Sequence, residues 1–209
     1  TTLGTDAVAK AAPDGHTLLL THVSLAFNVS YYRKLPFDAV KDLAPISLVA
    51  SQPYILVVHP SLPAKSVGEF IALARANPSK FNFGSGGAGT LAYLGGEMFK
   101  SAAGIDVTHV PYKVATQANQ DVMGGQTPLA MAALPSVITH IRGGLLHPVA
   151  MTSVKRWLSF PDVPTAAEAG VPGYSHLTWI GIVAPTGTPA AIVTRLNREI
   201  AAVLTVPEV

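Results

Sequence analysis

Apolar residues in this chain fall into short runs divided by turn residues, with amphipathic stretches between the runs. The period switches repeatedly between that of a buried strand and that of a helix. Residues 3–12 predict a helix with Val8 and Ala11 on its apolar side, stopped by the turn Pro13-Asp14-Gly15. His16–Thr21 predicts a buried strand, whereas His22–Tyr32 mixes polar and aromatic positions and predicts no regular element. Ile46–His59 is a long apolar run, β-branched in its outer parts, with Pro53 in its middle. A proline has no N–H for a sheet ladder, so this run predicts two strands meeting at a bend near Ser51-Gln52-Pro53.

Ser66 predicts the cap of a helix over Val67–Ala76, with Glu69 at the capping-box position and Asn77-Pro78 as the stop. Phe81–Phe83 then predicts a short strand, followed by the glycine-rich turn Gly84-Ser85-Gly86-Gly87-Ala88-Gly89-Thr90 and a helix over Leu91–Lys100. Beyond it the pattern predicts strands at Ile105–Val110, Leu129–Ala133 and His147–Thr152, and helices at Thr116–Met123 and Ser136–Ile141. A short helix over Ala166–Ala169, a strand over Trp179–Ala184 and a helix over Ala190–Leu204 opened by Pro189 complete the chain. Strands and helices that alternate in this way predict an α/β fold with a largely parallel sheet.

Of the 209 residues, 49% are hydrophobic and only 12% charged, enough apolar material for a sizeable core. The net charge of +2 is scattered without a basic cluster, which argues against a nucleic-acid partner. There is no cysteine, so no disulfide framework, thiolate metal site or cysteine nucleophile is available. No apolar run reaches the length of a membrane span.

The glycine turn carries the candidate chemistry. Four glycines and a serine within six positions leave backbone N–H groups bare where a helix begins, and the positive end of the helix dipole adds to their pull on an anion. Gly84-x-Gly86-x-x-Gly89 also matches the dinucleotide fingerprint, with Asp106 downstream. The preceding strand is short and interrupted by Asn82, and Asp106 falls at the start of the next strand, where a ribose-binding acid does not belong. Ser85 lacks the glycine two residues before it that a nucleophile elbow needs, since Phe83 stands there. It reads better as a hydroxyl donor to a ligand oxygen. No two histidines have helical metal-ligand spacing. His22, after a predicted strand, is a candidate pocket residue, whereas His59, His109, His140, His147 and His176 read as structural. No carboxylate pair suggests general acid–base work. Lys113 fits an anionic ligand or the plain surface equally, and Trp179 reads as core packing. The residues thus predict binding of a small acid with no cofactor, no metal and no catalytic step. The alternative is an α/β enzyme that uses the Gly84–Gly89 loop for a phosphate or nucleotide substrate.

Several segments, in order from end to end, resemble one family. They are Gly4-Thr5-Asp6-Ala7-Val8-Ala9, Ala12-Pro13-Asp14-Gly15-His16-Thr17-Leu18-Leu19-Leu20, Leu35-Pro36-Phe37-Asp38 with Lys41-Asp42-Leu43-Ala44-Pro45-Ile46, and Phe83–Thr90. Val110-Pro111-Tyr112-Lys113, Pro161-Asp162-Val163-Pro164-Thr165 with Glu168-Ala169-Gly170, and Ala184-Pro185-Thr186-Gly187-Thr188-Pro189 continue the set. The chain resembles the extracytoplasmic solute-binding proteins of tripartite tricarboxylate transporters, the Bug family.

The resemblance implies a type 2 periplasmic binding-protein fold of two lobes joined by crossing strands, with a ligand held between them. By it, residues 1–52 and 174–209 form a first lobe and residues 53–173 a second. It implies a monomeric periplasmic protein that hands a di- or tricarboxylate, an amino acid or an aromatic acid to membrane transporter subunits. Its ligand contacts carry over to Ser85, Gly86, Gly87, Gly89 and Thr90, to His22 and Ser24, and to Ala132 and Ala133. It further implies that roughly 80 to 100 residues of the family's length, including a strand and loop of the first lobe, lie outside this sequence. Such a piece is expected to aggregate or to bind weakly. Val114 stands where the family has glycine, which puts a backbone contact there in question.

Overall fold

The computed structural model describes residues 2–206. The chain divides into two compact units, Thr1–Ser51 with Thr178–Val209, and Gln52–Leu177. Residue 1 and residues 207–209, the outer ends of the expected first lobe, lie outside the described residues.

Strand β2 (Leu43–Val58) is one continuous 16-residue strand that begins in the first unit and ends in the second. The expected break at Pro53 does not occur. The pairing of β2 within the second unit starts at Tyr54, so Pro53 lies just ahead of the ladder and its missing N–H costs nothing there.

In the second unit β2 is flanked by β5 (Leu129–Ala133) and β6 (His147–Met151), both antiparallel to it. β3 (Asn82–Ser85) pairs in parallel with β5 on one side and β4 (Thr108–Pro111) on the other, giving the order β6-β2-β5-β3-β4. Both faces of this sheet are covered, so its central strands run apolar at successive positions, residues 55–58 in β2 and Leu129–Ala133 in β5. Leu56 and Val58, Leu129 and Met131, and Phe83 face a core shared with α3 (Val67–Ala76) and α4 (Leu91–Ala103). Ile55, Val57, Ala130 and Ala132 face the opposite core, shared with α5 (Ala115–Met123) and α6 (Leu134–Arg142).

Local chemistry fixes the helix ends. Ser66 caps α3 by accepting from the Glu69 N–H at 3.2 Å, while the Glu69 carboxylate reaches back to the Lys65 N–H at 2.6 Å. The box thus closes on the residue before the cap. Gly104 ends α4 in the left-handed region, and the Ile105 N–H returns to the Lys100 carbonyl at 3.2 Å, a Schellman closure. The expected helix over Ala166–Ala169 is a single turn. Its capping box forms, with the Thr165 N–H donating to Glu168 at 2.8 Å and the Glu168 N–H to Thr165 Oγ1 at 3.1 Å, but Gly170 at φ +109° ends the turn at once.

The first unit holds α1 (Thr2–Ala9), β1 (Leu19–His22), α2 (Ser24–Tyr31), the start of β2, β7 (Leu177–Pro185, less its first residue) and α7 (Ala190–Val203). β1 pairs antiparallel with β7. Helix α2 occupies the stretch whose mixed pattern predicts no element. Its core is small, with Val8, Leu43 and Val183 buried together and Ala9, Leu19 and Leu25 packed around them. Leu20, Val40 and Leu48 are exposed, and α7 buries none of its side chains.

Candidate functional site

The parallel strands β4, β3 and β5 end on the same edge of the sheet, and each is followed by a helix that starts there. α4 follows β3, α5 follows β4 and α6 follows β5. The chain leaves β3 toward β4 on one side and then crosses back to β5 on the other. The order β4-β3-β5 therefore has a topological switch point beside β3, the position where open α/β sheets hold ligands.

The glycine turn lies at this point. Ser85 is the last residue of β3 and is 1% exposed, whereas Ala88 is exposed and Gly86, Gly87 and Gly89 are half-buried. The Thr90 side chain caps α4, accepting from the Tyr93 N–H at 3.3 Å and donating to the Gly87 carbonyl at 2.7 Å. The Thr90 N–H also donates to the Gly87 carbonyl, at 3.2 Å, and the Gly87 N–H donates to Ser85 Oγ at 3.1 Å. Two turn amides are thus used internally. Among the described residues, the N–H groups of Gly86, Ala88, Gly89, Leu91 and Ala92 have no protein acceptor.

A second helix start adjoins the first. A Cβ on Gly86 would stand 3.2 Å from the Ala115 nitrogen, so the turn rests directly on the first residue of α5. Val114 provides no side-chain cap there, and the amides of Ala115 and Thr116 have no protein acceptor among the described residues. Helix α6 also begins without a side-chain cap, at Ala133. Ser136 in its first turn donates to the Ala133 carbonyl at 2.7 Å and is approached by Asn119 Nδ2 at 3.4 Å.

Two of the expected contact residues in the second unit are buried. Ser85 is an internal brace. The residue is buried, and its oxygen lies 2.7 Å from His109 Nε2 and takes the Gly87 N–H. Ala132 is 3% exposed, its methyl inside the core under α6 and its backbone in register with Ile55. Ala133 is partly exposed at the head of α6. His22 and Ser24 lie in the first unit and bond to each other, with Ser24 Oγ 3.3 Å from His22 Nε2 and the Ser24 N–H donating to Nδ1 at 3.3 Å. Lys113 is exposed in the short link between β4 and α5.

His109 reads from sequence as structural, yet it touches the turn. Phe83 and His109 are partners in the β3–β4 register, and Ser85, two residues on, shares that face. The imidazole packs against the rings of Phe83 and Tyr93, with centroids 5.0 and 4.6 Å away. Only the strand register brings these residues together, and no local pattern shows it.

The Ser85–His109 distance suits a nucleophile and its base. However, Ser85 is sealed from solvent, and no carboxylate is bonded to the other imidazole nitrogen among the described residues. No group of three or more metal-ligating side chains occurs among them either. The arrangement offers backbone donors at helix starts, which is chemistry for holding an anion.

Burial holds the His22, His109 and His176 imidazoles below their ordinary pKa. His176 is the most enclosed, packed at a tilt against Tyr54 with its Nε2 buried and unpartnered, although the Leu91 backbone pulls its pKa upward. Below about pH 6.5 the unfolded chain takes up protons that the folded chain resists. Stability is therefore full above that pH and falls as the pH drops toward the depressed folded values, most of all for the enclosed His176, whose share is at most about 1.4 kcal/mol per pH unit. Urea midpoints measured from pH 8 to pH 5 should fall, and a His176→Phe chain should show a shallower fall. Equal slopes for the two chains would assign the acid sensitivity elsewhere.

The sequence pattern of the tripartite tricarboxylate transporter family receptor, TctC, matches residues 1–209. The chain belongs to this receptor family. It is 38% identical over 200 residues to protein BugT of Bordetella pertussis, covering 95% of this chain and 61% of BugT. Among solved structures, R. palustris Rpa4515 with adipate is 34% identical with a TM-score of 0.85, and covers 99% of this chain and 70% of its own. MatC (Rpa3494) from Rhodopseudomonas palustris with bound malate is 31% identical with a TM-score of 0.83, over 99% of this chain and 71% of its own. The fold is therefore the mixed α/β fold of periplasmic solute-binding proteins. The chain spans about three fifths of BugT's length. None of its described helices is long and apolar enough to cross a membrane.

Proposed function

We propose that this receptor captures a small carboxylate in the periplasm and delivers it to the membrane subunits of a tripartite transporter. The acid is gripped at the edge of β4-β3-β5 by backbone amides. The observation that carries this reading is the set of free N–H groups at Gly86, Ala88, Gly89, Leu91 and Ala92, beside those of Ala115 and Thr116. A hydrogen bond to a charged group contributes about 1.5–3 kcal/mol net, and a helix end adds about 0.3–1 kcal/mol. Association itself costs at least about 4 kcal/mol in lost motion. One amide is too few, whereas three or four donors from two helix starts leave a useful surplus. The relatives support the same ligand class, since one holds adipate and another malate.

No arginine or lysine belongs to the glycine turn, so recognition rests on amides and ordered water and requires no cationic clamp. Unfolding curves should be recorded with malate, adipate, other di- and tricarboxylates, aromatic acids, amino acids, ATP and NAD. An acid at about 100 times its Kd should add about 2.7 kcal/mol to stability without being transformed. Stabilisation by a nucleotide alone, or consumption of the acid, would overturn the reading.

A further inference from the structure

We propose that His109 is a positioning residue of the anion-binding turn, acting through Ser85, and that its protonation and anion capture favour each other. This rests on the carboxylate reading above. His109 touches no ligand donor directly. Its Nε2 lies 2.7 Å from Ser85 Oγ, which also accepts the Gly87 N–H at 3.1 Å. The Gly87 carbonyl in turn receives the Thr90 N–H and hydroxyl at 3.2 and 2.7 Å. A chain of hydrogen bonds thus runs from β4 through the turn to the cap of α4. It fixes Gly87, the residue between the free amides of Gly86 and Ala88.

The relay tolerates a charged imidazole. A serine oxygen has two lone pairs and one proton. With Nε2 protonated, Ser85 Oγ accepts from His109 and from Gly87, and its own proton points toward the Gly87 carbonyl 3.5 Å away. Protonation therefore adds a positive charge behind the turn without removing a bond. The imidazole is held in place by Phe83 from β3 and Tyr93 from α4. The charged groups acting on it are Glu97 and Lys100 of α4, paired at 3.1 Å and of opposite influence. Burial disfavours the charged imidazole and leaves it neutral near pH 7. A carboxylate settling on the turn then raises the His109 pKa, and by linkage a lower pH tightens the grip by about three- to tenfold.

The test reads both ends of the relay by proton–nitrogen correlation spectra of the 209-residue chain from pH 8 to pH 5. In the ligand-free protein the Gly87, Gly89 and Thr90 amides should titrate with the His109 midpoint, and Ser85→Ala should abolish that titration. Turn amides indifferent to His109 ionisation would overturn the proposal. With malate or adipate present at saturation, the His109 midpoint should rise, and an unchanged midpoint would also overturn it. His109→Phe should weaken malate binding about tenfold or more. His109→Gln, whose amide can still donate to Ser85, should recover most of the affinity but lose its pH dependence, and His147→Gln should behave as the parent. Equal losses for His109→Phe and His109→Gln, with the parent's pH profile kept, would reduce His109 to a packing residue. A relay that titrates in a chain binding neither malate nor adipate would defeat the carboxylate reading and leave the positioning role standing.

Discussion

Replacing Gly87 with valine should abolish carboxylate capture while leaving the second unit folded. Gly87 has φ +98°, a region that a β-branched residue enters only with strain. A Cβ there would stand 3.5 Å from the Tyr112 carbonyl, so space is available and the backbone angle is the obstacle. To relieve it the turn must rotate, and rotation breaks the bonds from Gly87 to Ser85 and Thr90. The free amides on either side of Gly87 then lose their common direction. With two or three charge-assisted bonds removed, affinity for malate or adipate should fall at least about 100-fold, while stability falls by about 1–3 kcal/mol. Calorimetric titration beside a urea curve checks both. Binding within threefold of the parent would show that the turn is not where the acid sits.

The second large effect is expected at Gly96, in the middle of α4. An alanine Cβ there would lie 2.2 Å from Phe83 Cε2 and 2.7 Å from Cζ. Phe83 is 1% exposed within the larger core, and only a small apolar cavity lies beside it to take up a displaced ring. Overpacking of this kind costs about 1–3 kcal/mol or somewhat more, against about 1 kcal/mol of improved helix propensity. The clash wins, so Gly96→Ala should lower the urea midpoint. Gly68→Ala in α3 has open space around it and should raise the midpoint slightly. The ring displaced by Gly96→Ala also supports His109, so acid affinity should drop along with stability. If both alanine variants changed stability in the same direction, the close packing of α4 on β3 would be wrong.

The sequence was legible wherever a local rule decides structure. Ser66 and Glu69 announce the start of α3, and Leu129–Ala133 is a strand in both pattern and structure. The glycine turn stands between a strand and a helix, as its composition predicts. Local pattern and structure part where the context is not local. Pro53 looked like a break because a proline in a central ladder is costly, but it falls ahead of the pairing of β2 with β5. Helix α2 leaves only a faint period in the sequence, because only Ser24 and Asn28 of its side chains are buried. Ala166–Ala169 carried a sound capping signal that Gly170 cut to one turn.

The same division holds at the candidate site. That an anion would be drawn to Gly84–Thr90 follows from chemistry within seven residues, since glycines expose amides and a helix start orients them. The Gly87 and Thr90 amides are taken up by bonds within the turn itself. The tertiary structure turned Ser85 inward, buried Ala132 and set the first residue of α5 against Gly86. Family membership and the α/β alternation are written in the order of short motifs, because period, caps and turns act over a few residues. The meeting of α4 and α5, and the placing of His109 behind the turn, come from the parallel register of β3 with β4, a pairing of residues more than twenty positions apart that no local pattern encodes.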